Sequence, residues 1–204
     1  EALAPVLHPL LAAHDLPLPE HCGYWAGWVR LEAQHVGSPR WTESFLAACA
    51  ASGAFAAIPT ADAQHYAETA SSALVRVRAR GGLDDVALLR ALLRVFERGD
   101  RPGAQRGALI WFRLLGLTEH LWTERARLFA ALPGASGSVV ELAVDSLLAG
   151  GPDGEPLTGA ELTALALEVL PRKERGPKRA VLEALRRADP LPSPKLTDML
   201  RVLA

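Results

Sequence analysis

The feature that most constrains the fold is a pattern of Leu-Pro, a short polar bridge and an apolar stripe, which occurs twice in the second half of the chain. It occurs in LPGASGSVVELAVDSLL, residues 132–148, and again in LPRKERGPKRAVLEAL, residues 170–185. The two copies begin 38 residues apart, and aligning them on Leu-Pro places Leu147 opposite Leu185. Repetition at a period of this length predicts a chain built from stacked supersecondary units.

The segments between proline and glycine breakers have helical periodicity, and no window alternates apolar and polar residues as a half-buried strand does. In LDDVALLRALLRVFERG, residues 83–99, apolar side chains that include Val86 and Phe96 share one helical face. We therefore predict about eleven helices and no strand. The helices are expected near residues 2–14, 20–36, 41–54, 62–80, 83–98, 103–116, 118–132, 137–149, 158–170, 176–188 and 193–204.

Residues that favour helix ends support these boundaries. Thr118 and Thr158 are expected to cap the starts of two helices, and Ser136 or Ser138 the start of a third. Gly150 follows an apolar stripe in the position that ends a helix.

From residue 83 onward the predicted helices come in pairs joined by short bridges. A helix pair of this kind cannot bury its apolar face alone, but stacked pairs share one continuous core. The pairs are 83–98 with 103–116, 118–132 with 137–149, and 158–170 with 176–188.

The segment GPKRAVLEALRRA, which begins at Gly176, resembles the second helix of a HEAT repeat, where a proline and a basic residue precede an Ala/Leu-rich stripe. The resemblance covers about residues 83–190. It implies an all-α fold, a right-handed α-solenoid of antiparallel helix pairs that is regular over 83–204 and less regular over 1–82. We expect the two parts to form one continuous domain.

Composition restricts the class of protein further. The chain has 204 residues, half of them hydrophobic, and a formal net charge of −1, so no overall field attracts it to nucleic acid or anionic lipid. Only three of its 22 basic residues are lysine, a preference that we take as typical of GC-rich bacterial genomes. Two cysteines are too few for a disulfide framework, and no apolar run is long enough to cross a bilayer. We expect a cytoplasmic protein that does not contact membranes.

Histidines offer the main candidate for a metal site. Glu32 and His35 have the Glu-x-x-His spacing of di-iron carboxylate bundles, and Asp62 with His65 is the nearest second pair. Such bundles need two further glutamates, and surface histidines are the simpler interpretation. We predict no metal and no other cofactor, while a metal-dependent helical enzyme remains an alternative.

A second alternative is a DNA-repair enzyme. One family of alkylpurine DNA glycosylases is built from HEAT-like repeats and uses a basic groove, aromatic side chains and a catalytic aspartate. By resemblance, Trp111, Arg113 and Asp145 would take those roles. A phosphate-tracking groove usually leaves a basic excess that the whole chain lacks, so nucleic acid is the less favoured partner.

The candidate binding residues are arginines and tryptophans. Residues 73–113 carry a net charge of +5, residues 139–171 a net charge of −6 and residues 172–204 a net charge of +5. The arginines either lie on a solvated face, paired with Asp145, Glu161 or Glu168, or meet an anionic partner. Two tryptophans that share a helical face are expected to be partly exposed in a contact surface. The predicted binding residues are Arg76, Arg80, Arg90, Arg94, Arg98, Trp25 and Trp28.

Because no catalytic motif stands out, we predict a non-catalytic scaffold or protein-binding module that uses the second helices of the pairs. The segment KLTDMLRVLA places Leu196, Met199, Leu200 and Leu203 on one side. We expect an exposed apolar strip at Leu200 and Leu203 that supports self-association or a continuing chain.

Overall fold

The computed structural model describes residues 4–37, 40–58, 63–79 and 83–188. Within these ranges the chain forms ten α-helices and three 3-10 helices, and it has no strand. The prediction of an all-α protein is therefore confirmed for this part of the chain. The predicted eleventh helix, 193–204, with its strip at Leu200 and Leu203, lies outside the described residues.

The helices follow one another with short connections. The α-helices are α1 (Ala4–Ala13), α2 (Cys22–His35), α3 (Trp41–Ala50), α4 (Ala63–Arg78), α5 (Asp85–Glu97), α6 (Pro102–Leu114), α7 (Arg125–Ala131), α8 (Gly137–Ala149), α9 (Gly159–Val169) and α10 (Arg175–Arg187). The 3-10 helices are Ala54–Ala57, Leu117–His120 and Leu132–Gly134. None of the helices in the described ranges combines the length and apolarity that a bilayer span requires.

The repeated Leu-Pro pattern corresponds to two equivalent helices. α8 and α10 each contain 13 residues, and α10 begins 38 residues after α8, the same offset as the two sequence copies. Leu147 and Leu185, which the sequence places in register, are both buried. The pattern therefore marks the core positions of two helices of the same length.

The helix predicted over 118–132 is wrong in its first half. Gly116, at a φ of 64°, leads into the 3-10 helix Leu117–His120, and α7 begins only at Arg125. Thr118 caps no α-helix there. The buried side chains of Leu117 and Leu121 anchor this segment, so tertiary packing overrides its helical periodicity.

Other helix ends match their sequence signals. At the start of α9 the Thr158 hydroxyl accepts a hydrogen bond from the Glu161 amide at 3.2 Å, and the Glu161 carboxylate accepts one from the Thr158 amide at 2.9 Å. This reciprocal capping box fixes where α9 begins. Ser136 occupies the N-cap position of α8, although its side chain makes no capping bond, and Gly150 ends that helix.

The core is one connected cluster that runs from Ala4 to Leu185. α5 lies deep in the core, since it packs against α3, α6 and α7 and seven of its 13 residues are buried. Val86, expected on the buried face of α5, is 41% exposed, while Leu88 is fully buried. The buried face of α5 therefore covers more of the helix circumference than the predicted apolar stripe, and it is rotated away from Val86.

A 3-10 helix joins the N-terminal part of the chain to the paired helices. Ala54–Ala57 packs against both α2 and α6. The contact with α6 is close at Gly107, where a Cβ atom would lie 2.2 Å from the Phe55 carbonyl oxygen. Trp111 of α6 is buried beside it and packs edge-on against Phe45, with ring centroids 5.2 Å apart.

Candidate interaction surface

The paired helices divide into two sets with different neighbours. We call α5, α7 and α9 the first helices and α6, α8 and α10 the second helices, by their order within each pair. α5 packs against α7 among the first helices, while α6 packs against α8 and α8 against α10 among the second. The exposed sides of the three second helices therefore adjoin one another.

Most charges on the first helices pair with each other. Arg127 of α7 binds Glu97 of α5 through two hydrogen bonds of 2.6 and 2.8 Å. Arg90 of α5 binds Glu124 at 2.7 Å, and Arg125 of α7 binds Glu161 of α9 at 3.0 Å. The hydrogen bonds of Thr158 and then that of Arg125 hold the pKa of Glu161 below its usual value. These ion pairs connect each first helix to the next.

Arg98 and Asp100 form a further structural pair at the bridge between α5 and α6. The Arg98 guanidinium donates to Asp100 at 2.7 and 2.8 Å and to the Cys49 and Ala50 carbonyls at 3.2 Å, where α3 ends. Asp100 also accepts hydrogen bonds from Ser52 and the Gly53 amide. Burial raises the pKa of Asp100, but these hydrogen bonds together outweigh it and keep the pKa below its ordinary value.

Buried polar contacts also link successive bridges. The Gln105 amide nitrogen donates to the Asp100 and Gly134 carbonyls at 2.7 and 2.8 Å, and its oxygen accepts from the Ser136 amide at 2.7 Å. Arg172, in the bridge between α9 and α10, donates to the Leu132 and Ala135 carbonyls. The Gln105 side chain thus joins the bridge between α5 and α6 to the bridge between α7 and α8.

The structure places the predicted arginines in different roles. Arg90 and Arg98 belong to the intramolecular contacts above, and their acidic partners are Glu124 and Asp100 rather than Asp145, Glu161 or Glu168. Arg76 is exposed and donates to a carbonyl of its own helix. Arg94 is exposed on α5 and forms no ion pair with the described residues. Arg80 lies outside the described residues.

Trp25 and Trp28 are core residues, so the expectation that they are partly exposed is wrong. Each is only 2% exposed because α2 packs against α1, α3, α4 and the 3-10 helix Ala54–Ala57, and the His8 ring of α1 lies 5.7 Å from the Trp28 ring. The Trp25 indole donates to the Pro19 carbonyl at 2.8 Å. Burial also raises the pKa of the neighbouring Tyr24 to about 12.

The second helices expose charges that alternate in sign from helix to helix. α6 exposes basic side chains, α8 acidic ones and α10 basic ones again. We call this set the second-helix surface; its residues are the exposed Arg106, Arg113, Glu141, Asp145, Arg175, Arg179, Arg186 and Arg187 and the half-buried Lys178 and Glu183. Within the described residues, the ion pair between Arg179 and Glu183 is the one formed by this set, at 3.0 Å.

Two hollows flank α10 and meet at Glu183, which contributes to both. The first, of about 400 Å³, is mainly apolar and is formed where α8 ends and α9 begins, with Leu148, Leu157 and Ala184 in its wall. The second, of about 320 Å³, is mainly basic, and Leu182 lies among its arginines. α10 therefore combines the strongest positive charge of the surface with apolar contact area.

The residues of the enzymatic alternatives are dispersed or buried. Trp111 is fully buried and its indole donates to the Tyr66 hydroxyl at 2.9 Å, whereas Arg113 and Asp145 are exposed. His65 is exposed; Asp62 and the side chains of Glu32 and His35 lie outside what the structure describes. Among the described side chains, no three metal-ligating groups come together.

Comparisons with protein families, curated proteins and solved structures find no match for this chain.

The sequence contained a signal for the second-helix surface that the prediction did not use. The alternating net charges of 73–113, 139–171 and 172–204 correspond in part to the exposed sides of α6, α8 and α10. The prediction instead chose the arginines of α5 because their helical spacing is regular. Separating paired from unpaired charges requires knowing which acidic residues of distant segments lie nearby.

Proposed function

We propose that this chain is a non-catalytic scaffold of the HEAT-like type, a right-handed α-solenoid that binds a protein partner along the second-helix surface. The observation that carries the proposal is the contrast between the two sets of helices. Ion pairs on the first helices connect neighbouring pairs, while among the described residues the charges of the second-helix surface form one ion pair, Arg179 with Glu183. Charges of this kind set the specificity and association rate of a protein contact.

The alternation of sign supports a protein rather than a nucleic acid as the partner. A phosphate backbone crossing from α6 to α10 would meet Glu141 and Asp145 on α8. Like charges brought together in this way cost binding free energy. A protein segment carries both signs and is able to match all three helices.

The test is to select peptides from a displayed random library against the whole protein and to map where they bind. A variant with Arg113→Glu and Asp145→Lys changes charge on two second helices. A matched control, Arg94→Glu with Glu168→Lys, makes the same charge changes on two first helices, at exposed residues that form no ion pair with the described residues. We expect the selected peptides to lose at least about tenfold in affinity for the second-helix variant and to bind the control as they bind the parent.

Two results would overturn the proposal. One is that the selected peptides bind the second-helix variant as tightly as the parent protein. The other is submicromolar, salt-sensitive binding of duplex DNA, which would favour the glycosylase alternative. Metal analysis of the purified protein tests the remaining alternative, and a stoichiometric metal ion would support it.

A further inference from the structure

We propose that α10 binds an acidic, helical segment of the partner protein through its basic face. This inference rests on the proposed function and adds the chemistry of the partner. We call the side of α10 that carries Arg175, Lys178, Arg179, Leu182 and Arg186 the basic face.

The basic face is a stripe along one side of a helix. Its cationic residues recur at spacings of three, four and seven residues, which is the repeat of side chains that share a helical face. From Arg175 to Arg186 the stripe extends about 16 Å, the rise of eleven helical residues. A partner helix of about three turns, with acidic residues at the same spacing, would face each cation in turn.

Little negative charge opposes this stripe within the structure. Arg175, Lys178 and Arg186 form no ion pair with the described residues. Glu183 binds Arg179, whose side chain is 85% exposed, and an exposed pair of this kind is weak. The cations are therefore available to an acidic partner at little cost in lost contacts.

Leu182 gives the contact an apolar centre. It is half-buried and lies among the cations in the hollow of about 320 Å³. An apolar residue of the partner that packs on Leu182 would exclude water from the surrounding ion pairs and so strengthen them.

The same features disfavour a nucleic acid on this face. α10 contains no aromatic residue on which a base would stack. A protein helix that alternates acidic and apolar residues needs no such stacking surface. The Glu183 carboxylate lies within the basic face and would repel a phosphate and a glutamate of the partner alike.

The experiment measures binding of labelled helical peptides of about 15 residues to the whole protein by fluorescence anisotropy, at about 0.15 M salt. One peptide carries glutamates at helical spacing around a central leucine, and a matched peptide carries lysines instead. The protein variants are Arg175→Glu with Arg186→Glu, Leu182→Ala, and the control Arg76→Glu with Arg94→Glu, which has the same charge change elsewhere. Circular dichroism melting verifies that each variant is folded.

We expect the glutamate peptide to bind the parent protein and the control alike, and the α10 double variant at least about tenfold more weakly. Leu182→Ala should weaken binding severalfold, which a purely electrostatic attraction would not show. The lysine peptide should not bind. Retained affinity in the α10 double variant would overturn the inference, as would no binding of the glutamate peptide at concentrations up to about 1 mM.

Duplex DNA is the remaining probe. If it binds the parent protein more tightly than the glutamate peptide at the same salt concentration, the inference is overturned in favour of a nucleic acid. If the glutamate peptide does not bind while the displayed peptides still map to α6 and α8, the inference about α10 is wrong and the proposed function stands. If no displayed peptide maps to the second-helix surface, the proposed function itself falls.

Discussion

At the scale of single residues, Gly107 sets the distance between α6 and the 3-10 helix Ala54–Ala57. An added Cβ would lie 2.2 Å from the Phe55 carbonyl oxygen and 3.1 Å from its carbonyl carbon, and backbone atoms cannot rotate away as a side chain can. The Gly107→Ala change should gain about 1 kcal/mol from helix propensity and lose about 3 kcal/mol from overpacking. We expect a net loss of about 2 kcal/mol in urea denaturation.

The same helix offers a control for this change. A Cβ added at Gly103 would lie 3.9 Å from the Ala56 Cβ, an ordinary contact. Gly103→Ala should therefore stabilise the protein by about 0.5 kcal/mol. Equal effects of the two substitutions would contradict the close approach at Gly107.

Asp100 should make stability depend on pH. Its pKa is lowered in the folded state, so its contribution is fully present above the unfolded value of about 3.9 and is lost as the pH falls through the folded pKa. Asp100→Asn should cost about 2 kcal/mol at neutral pH, because the charge-assisted hydrogen bonds of Arg98 are weakened. We expect this difference from the parent to shrink below about pH 4 in denaturation measured across pH.

An exposed aspartate provides the comparison for Asp100. Asp145 lies on α8 and forms no ion pair with the described residues. Asp145→Asn should change the free energy of unfolding by less than about 0.5 kcal/mol at neutral pH. A loss as large as that of Asp100→Asn would show that the Arg98–Asp100 contact stabilises the fold no more than an exposed aspartate does.

At the scale of helices, the ion pairs between first helices should stabilise more than an ion pair within one helix. The side chains of Arg127 and Glu97 are about one quarter exposed and share two hydrogen bonds. A double-mutant cycle with alanines should give a coupling free energy of about 1 kcal/mol for this pair. For Arg179 and Glu183, which lie within α10 and are far more exposed, we expect about 0.3 kcal/mol.

Each of the two double-mutant cycles compares the parent protein, two single variants and the double variant by urea denaturation. Raising the salt concentration should lower the coupling of Arg179 and Glu183 further, because exposed pairs are screened. Equal couplings would show that an ion pair between first helices stabilises the fold no more than an exposed pair within one helix.

Sequence predicted the helices well where local signals agree. The predicted helix 176–188 and the observed α10, Arg175–Arg187, differ by one residue at each end. They agree because the polar bridge before the helix and the apolar stripe within it indicate the same boundaries. The predicted 118–132 failed because Leu121 fits its helical periodicity but is buried from the turn that follows the 3-10 helix Leu117–His120, not from an α-helix. No local signal distinguishes these two ways of burying a leucine.

At the scale of the whole molecule, the candidate surface was only partly predictable. Alternating segment charges are a property of the sequence, but the pairing of Arg90 with Glu124 depends on how α5 and α7 pack. Trp25 and Trp28 were misplaced for the same reason, since four other elements pack against α2. Composition and spacing thus identify which residues are charged or aromatic, and tertiary contacts decide which of them remain accessible.

The proposed solenoid makes a prediction about how the molecule opens. In a stack of helix pairs each pair contacts its neighbours, so damage at one place lowers stability mainly there. Val181 is fully buried in α10, and Val181→Ala should cost about 1–2.5 kcal/mol. Native-state hydrogen exchange should then show faster exchange in α8, α9 and α10, with the amides of α3 and α5 unchanged.

A substitution in the middle of the chain should behave differently. Leu92 is fully buried in α5, which contacts α3, α6 and α7, and Leu92→Ala should speed exchange in all of these helices. If Val181→Ala instead raises the exchange of α3 and α5 as much as that of α10, the core unfolds as one unit. A stack of semi-independent pairs would then be the wrong description, even with every helix in place, because local opening requires that contacts end at the neighbouring pair.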